Sequence, residues 1–531
     1  MRIGVAISGG GHRATVWGAG TLLALSDAGL AGEISSVSSV SGGSITNGVV
    51  AHDLDLSTAT PDAVEGSLGR LLRHVTGQGL FWFGAPTDGW LRSFLAAAVL
   101  AAGSLVGLVA AFLLAGRGVS PLWLLLLGVV GVVIGLVLQR PLAGMGMPAS
   151  LRRLLLVLLV FVGVPAAVLT AITTWAHGWW LPLAALAAAI VAGAGVWVFL
   201  RVFSGRGVVV GKGLATAHFS SGGRTVALRD VDRPRVHHVF CATDLQSGDA
   251  VYLTPRLVSG YRLGFGTPGD LPLAVAVQCS ACLPGAFPPR VIDNSGNRQF
   301  HFERQYDTHR PGFPPTVERL VVNDGGVYDN MADQWEQGYR DRAARTGAPL
   351  DPDGAADLLV VVNAGKSAGW SPWKAGRLLS DLPGLTRTID VLYDVSTSNR
   401  RKRLVSTVDP SQVGHGGLGS LVHITTSPLA VIEHFAAQGD DSQRQRAAAT
   451  RDIVGAVADR GEWYRIGDAN GGVKTTLGRL PLEDVARLVW HSYVLTWTSV
   501  WVIHGVGSPP DPSRLSLDRF RQLCRPTSAA G

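Results

Sequence analysis

The chain opens with two short apolar runs separated by a helical pattern. Residues 3–7 form a continuous apolar segment of strand length, residues 15–28 carry apolar positions at helical spacing and end at Gly29, and residues 34–40 form a second strand. Strand-like runs recur at 236–242, 320–322 and 358–362, with helical patterns between them at 272–279 and 331–344. Strands alternating with helices predict an α/β fold, a parallel or mixed sheet with helices on both faces.

Between the second and third strands the rhythm changes. Four apolar stretches follow one another at 94–115, 122–138, 154–174 and 181–203, each near the roughly 20 residues that cross a bilayer core of about 30 Å. No Asp or Glu occurs from Gly89 to Arg229, whereas Arg92, Arg117, Arg140, Arg152, Arg153, Arg201, Arg206 and Lys212 all fall there. Arg140, Arg152 and Arg153 occupy the middle loop, Arg92 precedes the first stretch, Arg201, Arg206 and Lys212 lie at or after the end of the fourth, and the other two loops hold only Arg117 and His177. By the positive-inside rule the flanks and the middle loop face the cytoplasm. Trp90, Trp123, Trp175, Trp179 and Trp180 stand where interfacial aromatic anchors belong. The expected organisation is one α/β domain, 1–90 and 205–505, interrupted by a four-helix transmembrane insertion, 91–204, with a polar, partly disordered tail at 506–531. The apolar stretch at 485–504 is broken by His491, Ser492, Thr496, Thr498 and Ser499, which favours an amphipathic helix on the domain or the membrane over a fifth span.

Composition adds little to this picture. Hydrophobic residues make up 47% of the 531 and charged residues 16%, an apolar balance that the four stretches explain. The net charge of +7 sits beside those stretches, which points to anionic lipid headgroups rather than nucleic acid. Met1-Arg2 runs directly into the first strand, so no signal peptide is expected and the N-terminal segment is placed in the cytoplasm. Four cysteines in a chain of this length suggest no disulfide framework. Cys279 and Cys282 read as buried thiols at a helix start, and no metal site or cofactor is expected.

The chemistry concentrates in three short stretches. Ser41 follows the second strand and precedes Gly42-Gly43, the geometry of a serine lifted out of a sheet on a tight turn before a helix. Gly9-Gly10-Gly11 follows the first strand and offers backbone N–H groups to a developing oxyanion. In Leu320-Val321-Val322-Asn323-Asp324-Gly325-Gly326 an apolar strand ends on a carboxylate, where open α/β sheets carry functional groups. A carboxylate there can take the serine proton without histidine.

These stretches, Ser8-Gly9-Gly10-Gly11-His12-Arg13, Val40-Ser41-Gly42-Gly43-Ser44 and Asp324-Gly325-Gly326, resemble the three blocks of the patatin-like phospholipases. The first is particularly similar to the cytosolic phospholipase A branch. His238-Val239-Phe240-Cys241-Ala242-Thr243-Asp244-Leu245 and Ser280-Ala281-Cys282-Leu283-Pro284-Gly285-Ala286-Phe287-Pro288-Pro289 resemble further blocks. The resemblance covers about residues 1–50 and 235–400. It implies a Ser–Asp dyad acyl hydrolase acting on lipid esters, with Ser41 as nucleophile and Asp324 as base; together with the four apolar stretches, the expectation is a membrane-embedded enzyme acting on phospholipid or lysophospholipid. The N–H groups of Gly10, Gly11 and Gly42 would hold the oxyanion and Arg13 a substrate phosphate. The chain departs from the family in two places: Ser39 stands where Gly-x-Ser-x-Gly has its first glycine, and the insertion lies outside the basic fold. The competing readings are a silent lipid-binding scaffold, an acyltransferase, and a dinucleotide fingerprint at Gly9-x-Gly11. The last lacks its acidic residue after the second strand.

Overall fold

The computed structural model describes residues 1–80, 86–91, 199–221, 224–284, 287–293, 317–346, 350–351, 354–365 and 419–526, with scattered positions between 93 and 404. Its contacts divide the chain into two units, 1–82 with 210–531, and 83–209.

The first unit is built on a ten-stranded mixed sheet. In chain order its strands are β1 (Ile3–Ile7), β2 (Ile34–Ser39), β3 (His237–Asp244), β4 (Ala250–Leu253), β5 (Val258–Gly260), β6 (Gly264–Gly266), β7 (Arg290–Asp293), β8 (Arg319–Asp324), β9 (Leu358–Asn363) and β10 (Gly419–His423). Along the sheet the order is β10-β9-β1-β2-β3-β4-β5-β6, with β8 pairing β3 and β7 pairing β8. The five strands β10, β9, β1, β2 and β3 are mutually parallel, and every pairing beyond β3 is antiparallel. β1 is buried at all five positions, as a strand covered by helices on both faces must be.

The helices are α1 (His12–Asp27), α2 (Gly42–Asp53), α3 (Pro61–Gly77), α4 (Arg206–His218), α5 (Leu273–Ser280), α6 (Pro428–Gln438), α7 (Asp441–Val457), α8 (Arg460–Gly472), α9 (Leu482–His504) and α10 (Leu517–Cys524). α1 and α9 form the central helix pair. A side chain on Gly20 would lie 2.4 Å from the carbonyl of Val489, so the backbones cross at close range. The polar residues that interrupt 485–504 are buried instead, and His491, Ser492 and Thr496 are hydrogen-bonded, whereas the Thr498 and Ser499 hydroxyls have no partner among the described residues. Ser492 donates to the Trp17 carbonyl at 2.6 Å, Thr496 donates to Thr21 at 3.1 Å, and His491 contacts the Thr426 carbonyl at 2.9 Å. α9 is therefore a core helix wetted by its own hydrogen bonds rather than an amphipathic surface helix.

Three further expectations are corrected. The tail is ordered as far as residue 526: Trp490 donates to the Leu515 carbonyl at 2.7 Å, and Phe520 and Cys524 of α10 are fully buried. Leu515, Phe520 and Cys524 supply enough apolar surface to dock a segment that reads as polar on average. Cys279 and Cys282 are buried thiols in no disulfide, at the end of α5 and just beyond it, not at a helix start. The helical pattern at 331–344 starts late, after Ala332 adopts φ 60°, and divides at Gly338 into short pieces, Gln334–Gln337 and Tyr339–Thr346.

In the second unit the described outer ends of the apolar segment lie side by side. Trp90 donates to the Val202 carbonyl at 2.8 Å, and the rings of Phe94, Phe199 and Phe203 stand 5.4–5.9 Å apart. The four expected spans otherwise lie outside the described residues. Among the described residues no helix is long and apolar enough to cross a membrane.

Candidate active site

Sheet register brings the three glycine-containing stretches to one level. β2 runs parallel to β3 with Ser39 opposite Phe240, so the chain two residues on, at Ser41, reaches the level of Ala242. β8 runs the other way and places Asp324 opposite that same Ala242. Asp324 thus ends a strand, as expected, but an antiparallel one entering from the far side.

Ser41 sits between β2 and α2 with φ 53° and ψ −122°, a conformation that costs a non-glycine residue about 1–3 kcal/mol. The surrounding backbone enforces it. The N–H of Ser41 donates to the Ser280 carbonyl at 3.0 Å, that of Gly43 to Val40 at 2.9 Å, and that of Ser44 to Ser41 at 3.0 Å. Gly42 cannot be replaced without movement, since a Cβ there would stand 1.8 Å from the carbonyl oxygen of Gly11. Thr15 ties the two glycine turns together by donating to the Gly42 carbonyl at 2.7 Å.

The first glycine turn is held by its neighbours on both sides. The N–H of Gly9 donates to the Asn330 carbonyl at 3.1 Å and that of His12 to Thr476 at 2.7 Å. Gly11 takes φ 59°, and a side chain on it would strike the Thr476 carbonyl at 2.6 Å. Between these anchors the N–H groups of Gly10 and Gly11, and that of Gly42 opposite, donate to no acceptor among the described residues. Gly10 and Ser41 are partly exposed, while Gly11 and Gly42 are buried. Three free N–H groups beside a serine hydroxyl form the donor set that a tetrahedral oxyanion requires.

Asp324 is 1% exposed. Its Oδ1 accepts the N–H of Gly326 at 2.8 Å, and its backbone is pinned by Thr243, which donates to the Asp324 carbonyl at 2.9 Å. Burial pushes its carboxyl up to about 7, against the opposing pull of the Gly326 N–H and the Ser41 hydroxyl. Ser41 is close enough to favour the ionised carboxylate, yet Oδ2 is buried without a hydrogen bond of normal geometry. A carboxylate with one oxygen held and the other unpartnered beside a serine is poised to accept a proton.

Arg13 is buried in the first turn of α1, where its Nη1 donates to the Val473 carbonyl at 2.8 Å. Its Nε has no partner, its Nη2 lies 3.6 Å from where a Cβ on Gly10 would be, and no carboxylate among the described residues pairs with it. Burial lowers its pKa. The cation is therefore adjacent to the glycine turn rather than displayed on the surface. His12 faces away: it contacts the Gly478 carbonyl at 2.8 Å, and burial lowers its pKa to about 4. Among the described residues no histidine bonds to Ser41 or Asp324. Asp329 shapes the turn after Asp324 by accepting the N–H groups of Met331 at 3.0 Å and Gln334 at 2.8 Å.

Sequence reasoning did not single out Thr243 or Ser280 as supports of the site. Their contributions depend on strand pairing and loop crossings between segments distant in the chain, which no local pattern encodes. No protein-family model matches the chain, and no curated protein matches it.

Proposed function

We propose that the chain is a serine acyl hydrolase of the patatin-like phospholipase kind, tethered to the membrane by residues 91–204 and acting on phospholipid or lysophospholipid from the cytoplasmic side. The observation that carries the reading is the pairing of a strained, partly exposed Ser41 with a buried Asp324 whose free oxygen has no other partner. Ser41 Oγ attacks the ester carbonyl while Asp324 takes its proton. The N–H groups of Gly10, Gly11 and Gly42 receive the carbonyl oxygen as it becomes an oxyanion. Collapse expels the alcohol, which recovers the proton from Asp324, and water then attacks the acyl-serine with the same carboxylate as base. Arg13, buried without an acidic partner beside the glycine turn, would offer its guanidinium to a phosphate that reaches into the site. The bilayer as substrate reservoir follows from the apolar stretches and their arginine flanks.

The test is covalent labelling of detergent-solubilised protein with a fluorophosphonate, in which a serine oxygen–phosphorus bond forms and fluoride leaves. Wild type should label, Ser41→Ala should not, and Asp324→Asn should label far more slowly. Absence of labelling in folded wild type would remove the reading.

A further inference from the structure

Behind Ser41 lies a chain of buried hydroxyls that the reaction itself does not use. Ser280, at the end of α5, is fully buried, and its Oγ stands 3.2 Å from the Ser41 nitrogen. The Ser41 N–H is thus shared between the carbonyl and the hydroxyl of one residue. The Ser280 carbonyl also accepts the N–H of Gly325 at 3.3 Å, and the N–H of Asp324 donates to Cys282, two residues on, at 3.1 Å. The strand carrying the base and the turn carrying the nucleophile therefore hang from Ser280 and Cys282, at the end of α5 and just beyond it.

The proton inventory fixes the direction of the hydroxyl chain. Ser280 has one O–H, and it points at the Cys241 carbonyl 2.6 Å away; Ser39 likewise donates to Val239 at 3.0 Å. Ser44 lies 2.8 Å from Ser280 and 3.0 Å from Ser39 and holds a proton for only one of them. Asn47 donates to Ser39 at 2.9 Å and accepts at 2.7 Å from Nδ1 of His238, which must then carry its proton there. With both its own proton and its partners assigned, the Ser280 oxygen is left as acceptor for the Ser41 N–H. It anchors that N–H to β3, because the Cys241 carbonyl holds the Ser280 hydroxyl.

We propose that Ser280 is a positioning residue for the nucleophile: its side-chain hydroxyl, locked by the Cys241 carbonyl, holds the Ser41 backbone in its strained conformation and level with Asp324. The inference rests on the serine hydrolase reading. It is separable from it, because Ser280 touches no reacting atom and should alter the rate at the serine without altering what binds there. A misplacement of about 1 Å at a catalytic group costs about 10²-fold, and loss of one of two shared acceptors should give part of that.

The test compares wild type, Ser280→Ala and Ser44→Ala in fluorophosphonate labelling, resolved into kinact and KI, with labelling carried to completion and thermal unfolding recorded on the same samples. Ser280→Ala should lower kinact about 10- to 50-fold, leave KI within twofold, and still label to full stoichiometry. Ser44→Ala, one bond further away, should lower kinact less. A fall in final stoichiometry with kinact unchanged would mean that Ser280 only supports folding, and would overturn the proposal. Equal kinact in wild type and Ser280→Ala would also overturn it, with the hydrolase reading intact. If folded wild type does not label at all, both fall together.

Discussion

The two halves of the central sheet do different work with different materials. The parallel half, β10-β9-β1-β2-β3, is covered on both faces and carries Ser41, the proposed nucleophile, and the glycine turns at the carboxyl ends of β2 and β1. The antiparallel half, β4 to β8, has shorter strands, leaves Leu245, Tyr261, Val291, Val327 and Tyr328 exposed at its margin, and contributes the base. In the parallel half, position is fixed by burial: β1 is zippered to β2 and β9 over its whole length. In the antiparallel half, β8 meets β3 over only three residue pairs, and Asp324 is fixed by hydrogen bonds from Gly326 and Thr243 instead. A site assembled from both has a rigid nucleophile and a base held by polar contacts, so mutations should divide along the same line.

The largest effects belong to the dyad. Ser41→Ala should abolish fluorophosphonate labelling and ester turnover, and Asp324→Asn should lower both by about 10³-fold or more, as when other nucleophile–base units lose a member. Circular dichroism should show both variants folded. If Asp324→Asn labels as fast as wild type, the antiparallel half has no share in the chemistry and the contrast between the halves collapses.

Next comes the packing that supports the parallel half. Phe520 of α10 is fully buried and stands 5.0 Å, centroid to centroid, from Tyr493 of α9. Phe520→Ala should cost about 3–5 kcal/mol, read as a lowered denaturation midpoint at unchanged slope. A change below about 1 kcal/mol would mean that the C-terminal segment is dispensable to the core.

How far each half can be read from sequence follows the same physics. β1 and β9 are buried on both faces and show as continuous apolar runs, whereas β2 carries four serines in six residues and is marked by its place between a helical pattern and a glycine turn; the glycines that follow β1 and β2 mark the turns. Strands β4 to β7 are three or four residues long, too short for alternation to stand out from a loop, and they were not anticipated. α9 misleads for another reason: its serines and threonines look like a polar face, but all are buried, Ser492 and Thr496 bond across to α1, and the helix is core. Ser41 and Asp324 were legible because each stands at a strand end beside glycines. Ser280, which joins them, was not, since its partners lie 41, 44 and 241 along the chain as well as at 325.

The base should also set the pH response. With Asp324 pushed up to about 7 by burial, only the ionised fraction can accept the serine proton. Labelling should therefore rise with pH through a midpoint near 7. The same shift has a stability consequence of definite sign. The folded-state value lies above the ordinary carboxylate value of 3.8, so the folded form binds the proton more tightly than the unfolded one. The carboxyl thus favours the fold below about pH 4 and loses that contribution as pH rises through 7, at about 1.4 kcal/mol per pKa unit. Asp324→Asn cannot ionise, so it should gain stability relative to wild type as pH goes from 5 to 8, by on the order of a few kcal/mol. A stability difference that stays flat across that range would mean that the carboxyl is ionised throughout and solvated.

The smallest effect expected concerns Ser39, which stands where a Gly-x-Ser-x-Gly turn has its first glycine. Its hydroxyl donates to Val239 and accepts from Ser44 and Asn47. Ser39→Gly removes that oxygen, yet neither donor is stranded: Ser44 retains Ser280 at 2.8 Å, and Asn47 retains the Val37 and Val239 carbonyls at 2.9 and 3.1 Å. The cost reduces to one hydrogen bond, about 1 kcal/mol, plus about 0.5–1 kcal/mol for glycine within a strand. Unfolding should register it while labelling stays within about threefold of wild type, because Ser280 still holds the Ser41 N–H. A loss of labelling as large as that of Ser280→Ala would move the anchor of the nucleophile from α5 into the strand. The parallel half would then hold its serine as the antiparallel half holds its base, by a single side-chain hydroxyl.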